Sequence, residues 1–377
     1  MAAGKQVVGN PTPRIEGELK VSGEAKYAVD ITLPGMTWGK LLRSPIASAR
    51  IKRIDTSKAR ALPGVRAVIT GADCSGLKIG RRLYDMPILA DGEVRFIGEK
   101  VAAVAADTEE IAEEALQLIE VEYEESEPLL DPVAALGSDA KMIHPNVASY
   151  KGLPKPLSAP TNEFVNVVWK KGDIETGFRQ ADVIVENTFT TPVVHHGYIE
   201  PHSCVADVKP DGSAEIWSCS KVPYAIREQV GNALQVAHEK LVVNPVYIGG
   251  DFGGKGDFMD VAVVYLLSKA AGKPVKLVMD YDEELIAGNP RHASIIKVKT
   301  GVKKDGSIVA HHMDFIFDSG AYGAFKPNAF LNGPHGSAGP YRIPHCFIEE
   351  HMVYTNKVPC GHMRSPGDPQ GFFANES

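Results

Sequence analysis

The sequence predicts an α+β protein of two unequal domains, and three observations predict it. Strand-like apolar runs flank a helical run in the first third; a polar, proline-bearing stretch interrupts the pattern at 137–160; a glycine-rich turn at 249–256 separates a strand-like run from a helix-like run. The expected organisation is a domain over 15–136, a surface linker over 137–160 and a second domain over 161–377.

In the first domain VRAVIT, KVAAVAAD and LIEVEYEE read as strands, with a helix between the last two. Thr108 is a suitable N-cap, Glu109, Glu110, Glu113 and Glu114 suit the early helix, and Ile111, Ala112, Ala115, Leu116 and Ile119 recur at helical spacing. This predicts a strand, helix, strand unit on a mixed sheet, with Glu122, Glu124 and Glu125 as solvated surface. The second domain opens with VNVVWKKGDIETGF and continues through strands at short spacing, with hairpin turns expected at Pro210-Asp211-Gly212 and Asp305-Gly306. Ser220 to Ala237 reads as a loop and helix, and a further helix is expected from Met259 to Ala271. No internal repeat is evident.

Composition narrows the function. With 377 residues, 44% hydrophobic and 23% charged, the chain can bury a sizeable core, and a net charge of −7 without a long basic run argues against nucleic acid as a partner. No apolar stretch reaches the roughly 18 residues of a membrane helix, and the N-terminus lacks a secretory hydrophobic region, so a cytoplasmic protein is expected. Cys74, Cys204, Cys219, Cys346 and Cys360 form no C-x-x-C pair and read as mostly buried apolar residues.

The turn Gly249-Gly250-Asp251-Phe252-Gly253-Gly254-Lys255-Gly256 is the strongest chemical signal. Bare backbone N–H groups at a helix start would suit an anion, and the spacing G-x-x-x-x-G-K matches a phosphate-binding loop. Gly256, however, stands where that loop needs a hydroxyl to hold magnesium, which argues against a nucleoside triphosphate. Other sets are read structurally. His195-His196 and His311-His312 point to opposite faces as strand neighbours, Glu200 reads as a carboxylate fixing a turn, and Asp280, Asp282, Glu283 and Glu284 read as a solvated loop. Tyr322 and Phe325 either flank a channel or pack.

Gly250-Asp251-Phe252-Gly253-Gly254-Lys255 resembles the G-x-F-G-G-K turn of the molybdenum subunits of the xanthine dehydrogenase and aldehyde oxidoreductase family, and 364–370, RSPGDPQ, is similar to that family's R-x-x-G-x-P-Q loop. HGYIEP (196–201) resembles a third motif, and GEAKYAVDI (23–31), LLRSPIASARI (41–51), LPGVRAVIT (62–70) and VRFIGEKVAAVAADTEEIAEEA (94–115) resemble its α/β hammerhead domain, in the family's order. The resemblance implies a hammerhead domain followed by the first part of a mixed α+β molybdopterin-binding domain. It implies a molybdenum-molybdopterin cofactor, with the cytosine dinucleotide form as one option, held by its dithiolene and not by side chains. Iron–sulfur and FAD groups would lie on partner subunits.

Carried over position by position, the resemblance makes Gly250, Phe252, Gly253, Gly254, Arg364 and Ser220 cofactor-binding. The Phe252 N–H and Arg364 would lie near molybdenum without ligating it. Ser220 falls where most members have a glutamine. Gly256, Pro366 and Asn332 replace a glutamate, an aromatic clamp and an arginine of purine-oxidising members, which favours an aldehyde or an aromatic N-heterocycle oxidised with water as oxygen source. The family's catalytic glutamate is expected beyond Ser377, on more of the same chain or on a second polypeptide, and Glu376 is a poor substitute. No residue present is therefore assigned as catalytic, and the chain alone is expected to be inactive. The alternatives are a half-subunit of a split nicotinate-dehydrogenase-like enzyme, a non-catalytic scaffold of the family, or a nucleotide binder.

Overall fold

A computed structural model describes residues 8–257, 260–326 and 328–377. Its largest sheet has seven strands in the order Leu241–Asn244, Ala214–Ser218, Ser203–Val208, Val275–Val278, Thr37–Arg43, Lys100–Ala106 and Val65–Thr70. Thr37–Arg43 pairs parallel with Val275–Val278 and antiparallel with Lys100–Ala106, so one sheet takes strands from both sides of 137–160. Every residue of Lys100–Ala106 is buried, as expected for a run of valines and alanines covered on both faces.

The helix Val261–Ala271 packs against this sheet, and seven of its residues are buried because its sequence is apolar nearly all round. Met259, the expected first residue of this helix, lies outside the described residues. The expected helix Glu109–Gln117 begins on Thr108, whose side chain accepts from the Ile111 N–H. Its flanking strands belong to different sheets, however. Lys100–Ala106 is in the large sheet, whereas Glu120–Glu125 pairs with Ala49–Asp55 in a three-stranded one. The expected single mixed sheet is thus two, a long-range pairing that periodicity cannot specify.

A five-stranded sheet, Val183–Thr191, Ser294–Val302, Ile308–Asp318, His345–Val353 and Glu163–Lys171, carries a second core around Phe164, Met313, Phe315 and Tyr354. The hairpins at Gly212 and Gly306 form as expected; each glycine has positive φ, 81° and 86°, where L side chains are strained. The stretch 137–160 has little regular structure, but it is not a loose linker: Ile143, His144 and Val147 are buried, and His144 Nε2 lies 2.6 Å from the Ala321 carbonyl oxygen. Among the described residues no helix is long and apolar enough to cross a membrane, and all five cysteines are free, four of them buried.

A buried ion cluster ties the large sheet to the start of Val261–Ala271. Asp260 lies 2.8 Å from Lys100 Nζ and 3.3 Å from Arg43 Nη2, and Arg43 Nε lies 2.8 Å from Glu283. Burial alone would raise the Asp260 pKa; the two cations outweigh it and hold the carboxyl below its ordinary value. A depressed carboxyl pKa contributes stability above the unfolded-state value that is lost as pH falls through the folded one. Asp260→Asn is expected to destabilise the fold by about 3–5 kcal/mol at pH 7, since it strands two buried cations. In urea titrations the gap between variant and parent should narrow as the pH is lowered below ~4.

Candidate functional site

The glycine turn is braced from inside by its own aspartate. Asp251 Oδ1 accepts the Lys255 N–H at 2.8 Å, Oδ2 accepts the Gly253 N–H at 3.1 Å, and the Asp251 carbonyl accepts the Gly254 N–H at 2.8 Å. Glu200 accepts the Gly249 N–H at 2.6 Å and pairs with Lys255, so it is the turn-fixing carboxylate expected. The N–H groups of Gly249, Gly253, Gly254 and Lys255, expected to be bare, are therefore occupied. Lys255 is fully buried, with Nζ 4.7 Å from the centre of the Tyr198 ring. The helix itself starts only at Val261, so the turn is not a helix N-terminus. This geometry overturns the phosphate-loop alternative: the lysine that would reach a phosphate supports the turn from beneath.

The Phe252 N–H is not one of those occupied. Among the described residues the Phe252 N–H has no hydrogen-bond partner, and Phe252 has φ of 46°, a left-handed conformation that is uncommon for a large side chain. The residue is 49% exposed, so it does not anchor the turn in the core. Gly250 and Gly253 have φ of 107° and 109°. A Cβ on Gly253 would lie 2.5 Å from the His362 carbonyl oxygen, and one on Gly254 2.9 Å from the Tyr198 ring. The glycines are required by close backbone approach.

Below the turn, Glu284 is a correction to the solvated-loop reading. Asp280 and Glu283 form a capping box for the helix Tyr281–Ala287, a spacing legible as D-x-x-E, and Glu284 on that helix is completely buried. Its carboxylate accepts from His202 Nδ1 at 2.9 Å; burial alone would raise its pKa, but His202 draws it down to about 2. His202 Nε2 in turn lies 3.3 Å from the Gly254 carbonyl oxygen, so an acid, an imidazole and the turn form one chain. His195 and His196 diverge, with His196 Nε2 3.1 Å from the His362 carbonyl oxygen, and His311 pairs with Thr300 far from the turn.

The segment 364–370 meets the turn directly: the Arg364 N–H donates to the Phe252 carbonyl at 2.6 Å. Arg291, which sequence reasoning missed, donates to the carbonyls of Arg364 at 2.6 Å and Ser365 at 3.1 Å. Gln370 donates to the His292 carbonyl, fixing the start of the helix Asp368–Glu376. Together the two segments wall a cleft of about 440 Å³ whose lining includes Phe252, Gly253, His362, Arg364, Arg81 and Lys221.

The Arg364 side chain is exposed and takes no hydrogen bond or ion pair among the described residues. His362 Nε2 is buried without a hydrogen-bond partner among them, and burial holds this imidazole near pKa 3 and therefore neutral. Ser220 is not among the lining residues: its side chain is buried and its hydroxyl accepts the Val222 N–H at 3.2 Å, while its neighbour Lys221 lines the cleft. Of the residues replacing purine contacts, Pro366 lines the cleft and Asn332 adjoins it, Gly333 N–H donating to the Pro366 carbonyl. Tyr322 and Phe325 are buried packing residues, and Glu376 bonds the Tyr341 hydroxyl at the surface. A free N–H, a free guanidinium and an unpaired imidazole nitrogen around a glycine-lined cleft suit a large polar group bearing anionic oxygens.

Residues 157–377 match the model of the molybdopterin cofactor-binding domain, and 22–127 match that of the aldehyde oxidase and xanthine dehydrogenase a/b hammerhead domain. A probable xanthine dehydrogenase subunit of Bacillus subtilis is 36% identical over 97% of this chain and 47% of its own length. The nicotinate dehydrogenase large molybdopterin subunit of Eubacterium barkeri is 32% identical over 98% of this chain and 84% of its own. The solved structure of reconstituted CO dehydrogenase from Oligotropha carboxidovorans superposes with a TM-score of 0.89 at 30% identity, covering 98% of this chain and 47% of that one. The chain thus spans about half the length of two of these relatives and most of the third.

Gly253→Val should destabilise the protein by roughly 2–4 kcal/mol, because it combines a positive φ with a backbone clash. Phe252→Leu should stay within about 1 kcal/mol, since the residue is half exposed. Chemical denaturation checks both, and equal losses would contradict the turn's geometry.

Proposed function

Because the chain belongs to the aldehyde oxidase and xanthine dehydrogenase family as a molybdopterin-binding large-subunit sequence, we propose that the cleft between the glycine turn and 364–370 is its share of the molybdenum site. The observation that carries this reading is the Phe252 N–H beside the Arg364 side chain, both without a partner among the described residues. The Phe252 N–H would donate to an oxygen of the molybdenum group, Arg364 would hold anionic oxygens of the pterin, and Gly250, Gly253 and Gly254 keep the approach narrow. Ser220 would act only through water, since its hydroxyl already serves Val222. When bound, the molybdenum centre supplies the two-electron oxidation that places an oxygen from water on a carbon. The residues of this chain orient that group and exclude side chains from its face.

The proposed reaction is hydroxylation of an aldehyde or an aromatic N-heterocycle. The residues at Gly256, Pro366 and Asn332, which lack the polar and stacking groups of purine-oxidising members, favour these over purines. The base that takes the proton would come from outside these residues. The cytosine dinucleotide form of the pterin, iron–sulfur and FAD partner subunits, a cytoplasmic setting and the division at 137–160 complete the proposal. A half-subunit of a split enzyme is the second reading, favoured by the 84% of the nicotinate dehydrogenase subunit that this chain spans.

Arg364→Ala tests the cofactor assignment. The exposed side chain has no partner to lose among the described residues, so the melting temperature should hold, while each lost charge-assisted contact weakens cofactor binding by roughly 1.5–3 kcal/mol. Molybdenum per chain, by elemental analysis, should fall in Arg364→Ala and Gly253→Val and persist in Phe252→Leu. Unchanged molybdenum in Arg364→Ala would remove Arg364 from the site.

A further inference from the structure

Two cations converge on the glycine that ends the turn. A Cβ on Gly256 would lie 2.7 Å from Arg81 Nη1 and 3.8 Å from Lys221 Cε, so the missing side chain leaves the space that they enter. Both line the cleft that Phe252 and Arg364 wall at its other segments. Arg81 is held there by its backbone: its N–H donates to the Ala324 carbonyl at 2.9 Å, and a Cβ on the preceding Gly80 would lie 1.9 Å from the Leu83 carbonyl oxygen.

The carboxylates nearby do not cancel this charge. Asp251 pairs with Lys221 at 2.6 Å, but its two oxygens also brace the turn. Asp257 lies 3.5 Å from Arg81 at both its contacts, well beyond the roughly 2.7–2.9 Å of a strong charged hydrogen bond, and takes a firmer bond of 2.9 Å from Gln229. Burial raises Asp257 to about 7, so near neutrality it gives up much of its charge. Three cations, Arg81, Lys221 and Arg364, thus face at most two carboxylates.

We propose that the Gly256 end of the cleft is an anion subsite for the substrate, in which Arg81 and Lys221 bind a carboxylate carried on the aromatic ring. The planar guanidinium fork matches a carboxylate edge-on, and the exposed lysine adds a mobile second charge. This rests on the reading of the cleft as the molybdenum site. It assigns Arg81 and Lys221 to the substrate and Arg364 to the cofactor.

The test is calorimetric binding of nicotinate, its neutral analogue nicotinamide, and inorganic phosphate to the protein purified with its native partners. Parent, Arg81→Gln, Arg81→Lys and Lys221→Gln are compared, with molybdenum content and melting temperature recorded for each. Nicotinate should bind the parent roughly tenfold or more tighter than nicotinamide. Arg81→Gln should remove that preference with molybdenum retained, Arg81→Lys should restore part of it, and Lys221→Gln, a change at an exposed side chain, should weaken it. Equal binding of nicotinate and nicotinamide by the parent overturns the proposal, as does phosphate binding without nicotinate binding. Loss of molybdenum from Arg81→Gln would assign Arg81 to the cofactor and overturn it too. A parent without molybdenum that still preferred nicotinate would overturn the cofactor reading alone and support the anion subsite.

Discussion

The site depends on a carboxylate caught inside its own turn. Asp251 occupies the N–H groups of Gly253 and Lys255, and through its carbonyl that of Gly254, so the backbone between them has no freedom to collapse. Between these bonds Phe252 lies in the left-handed region, and its N–H has no partner among the described residues. An uncommon backbone conformation held in place by its surroundings points to a site where that N–H is presented outward. Lys255, Glu200 and the Glu284–His202 pair then support the turn from below, converting a glycine-rich segment into a rigid wall. Rigidity matters because a donor aimed at a cofactor oxygen is effective only if it is already in place.

What is legible in the sequence is local. Thr108 caps its helix and the Asp-Gly turns close their hairpins because those interactions lie within a few residues. The glycine turn and the segment 364–370 are legible as a pair through resemblance, and the structure brings them into contact through Arg364 and Phe252. Partners set by the tertiary fold are not. Arg81 lies far along the chain from Gly256, and nothing in either segment announces that they meet. The resemblance points to Ser220 and passes over Lys221, although the backbone presents the lysine to the cleft and buries the serine. Glu284 reads with its exposed neighbours because four acids so close together suggest solvent; the D-x-x-E spacing marks the helix that turns one of them inward.

The electrostatics of the two sides of the turn are opposite in purpose. Beneath it, acids are matched to cations or to imidazole at short range, which holds the backbone. Above it, cations outnumber carboxylates and the nearest histidine is kept neutral, which leaves the cleft receptive to anions. Buried charges paired at short range fix backbone position, and the proposed cofactor contact depends on that position. The continuous seven-stranded sheet spreads this constraint, because Thr37–Arg43 and Val275–Val278 pair directly and tie the first part of the chain to the second.

The most direct test is a crystal structure of the protein with the polypeptides that co-purify with it, with anomalous diffraction collected at the molybdenum edge. The account predicts a molybdenum peak inside the cleft between Phe252 and Arg364, with an oxygen of the cofactor bonded to the Phe252 N–H. A molybdenum peak elsewhere, or a loaded protein whose cleft remains empty, would contradict it.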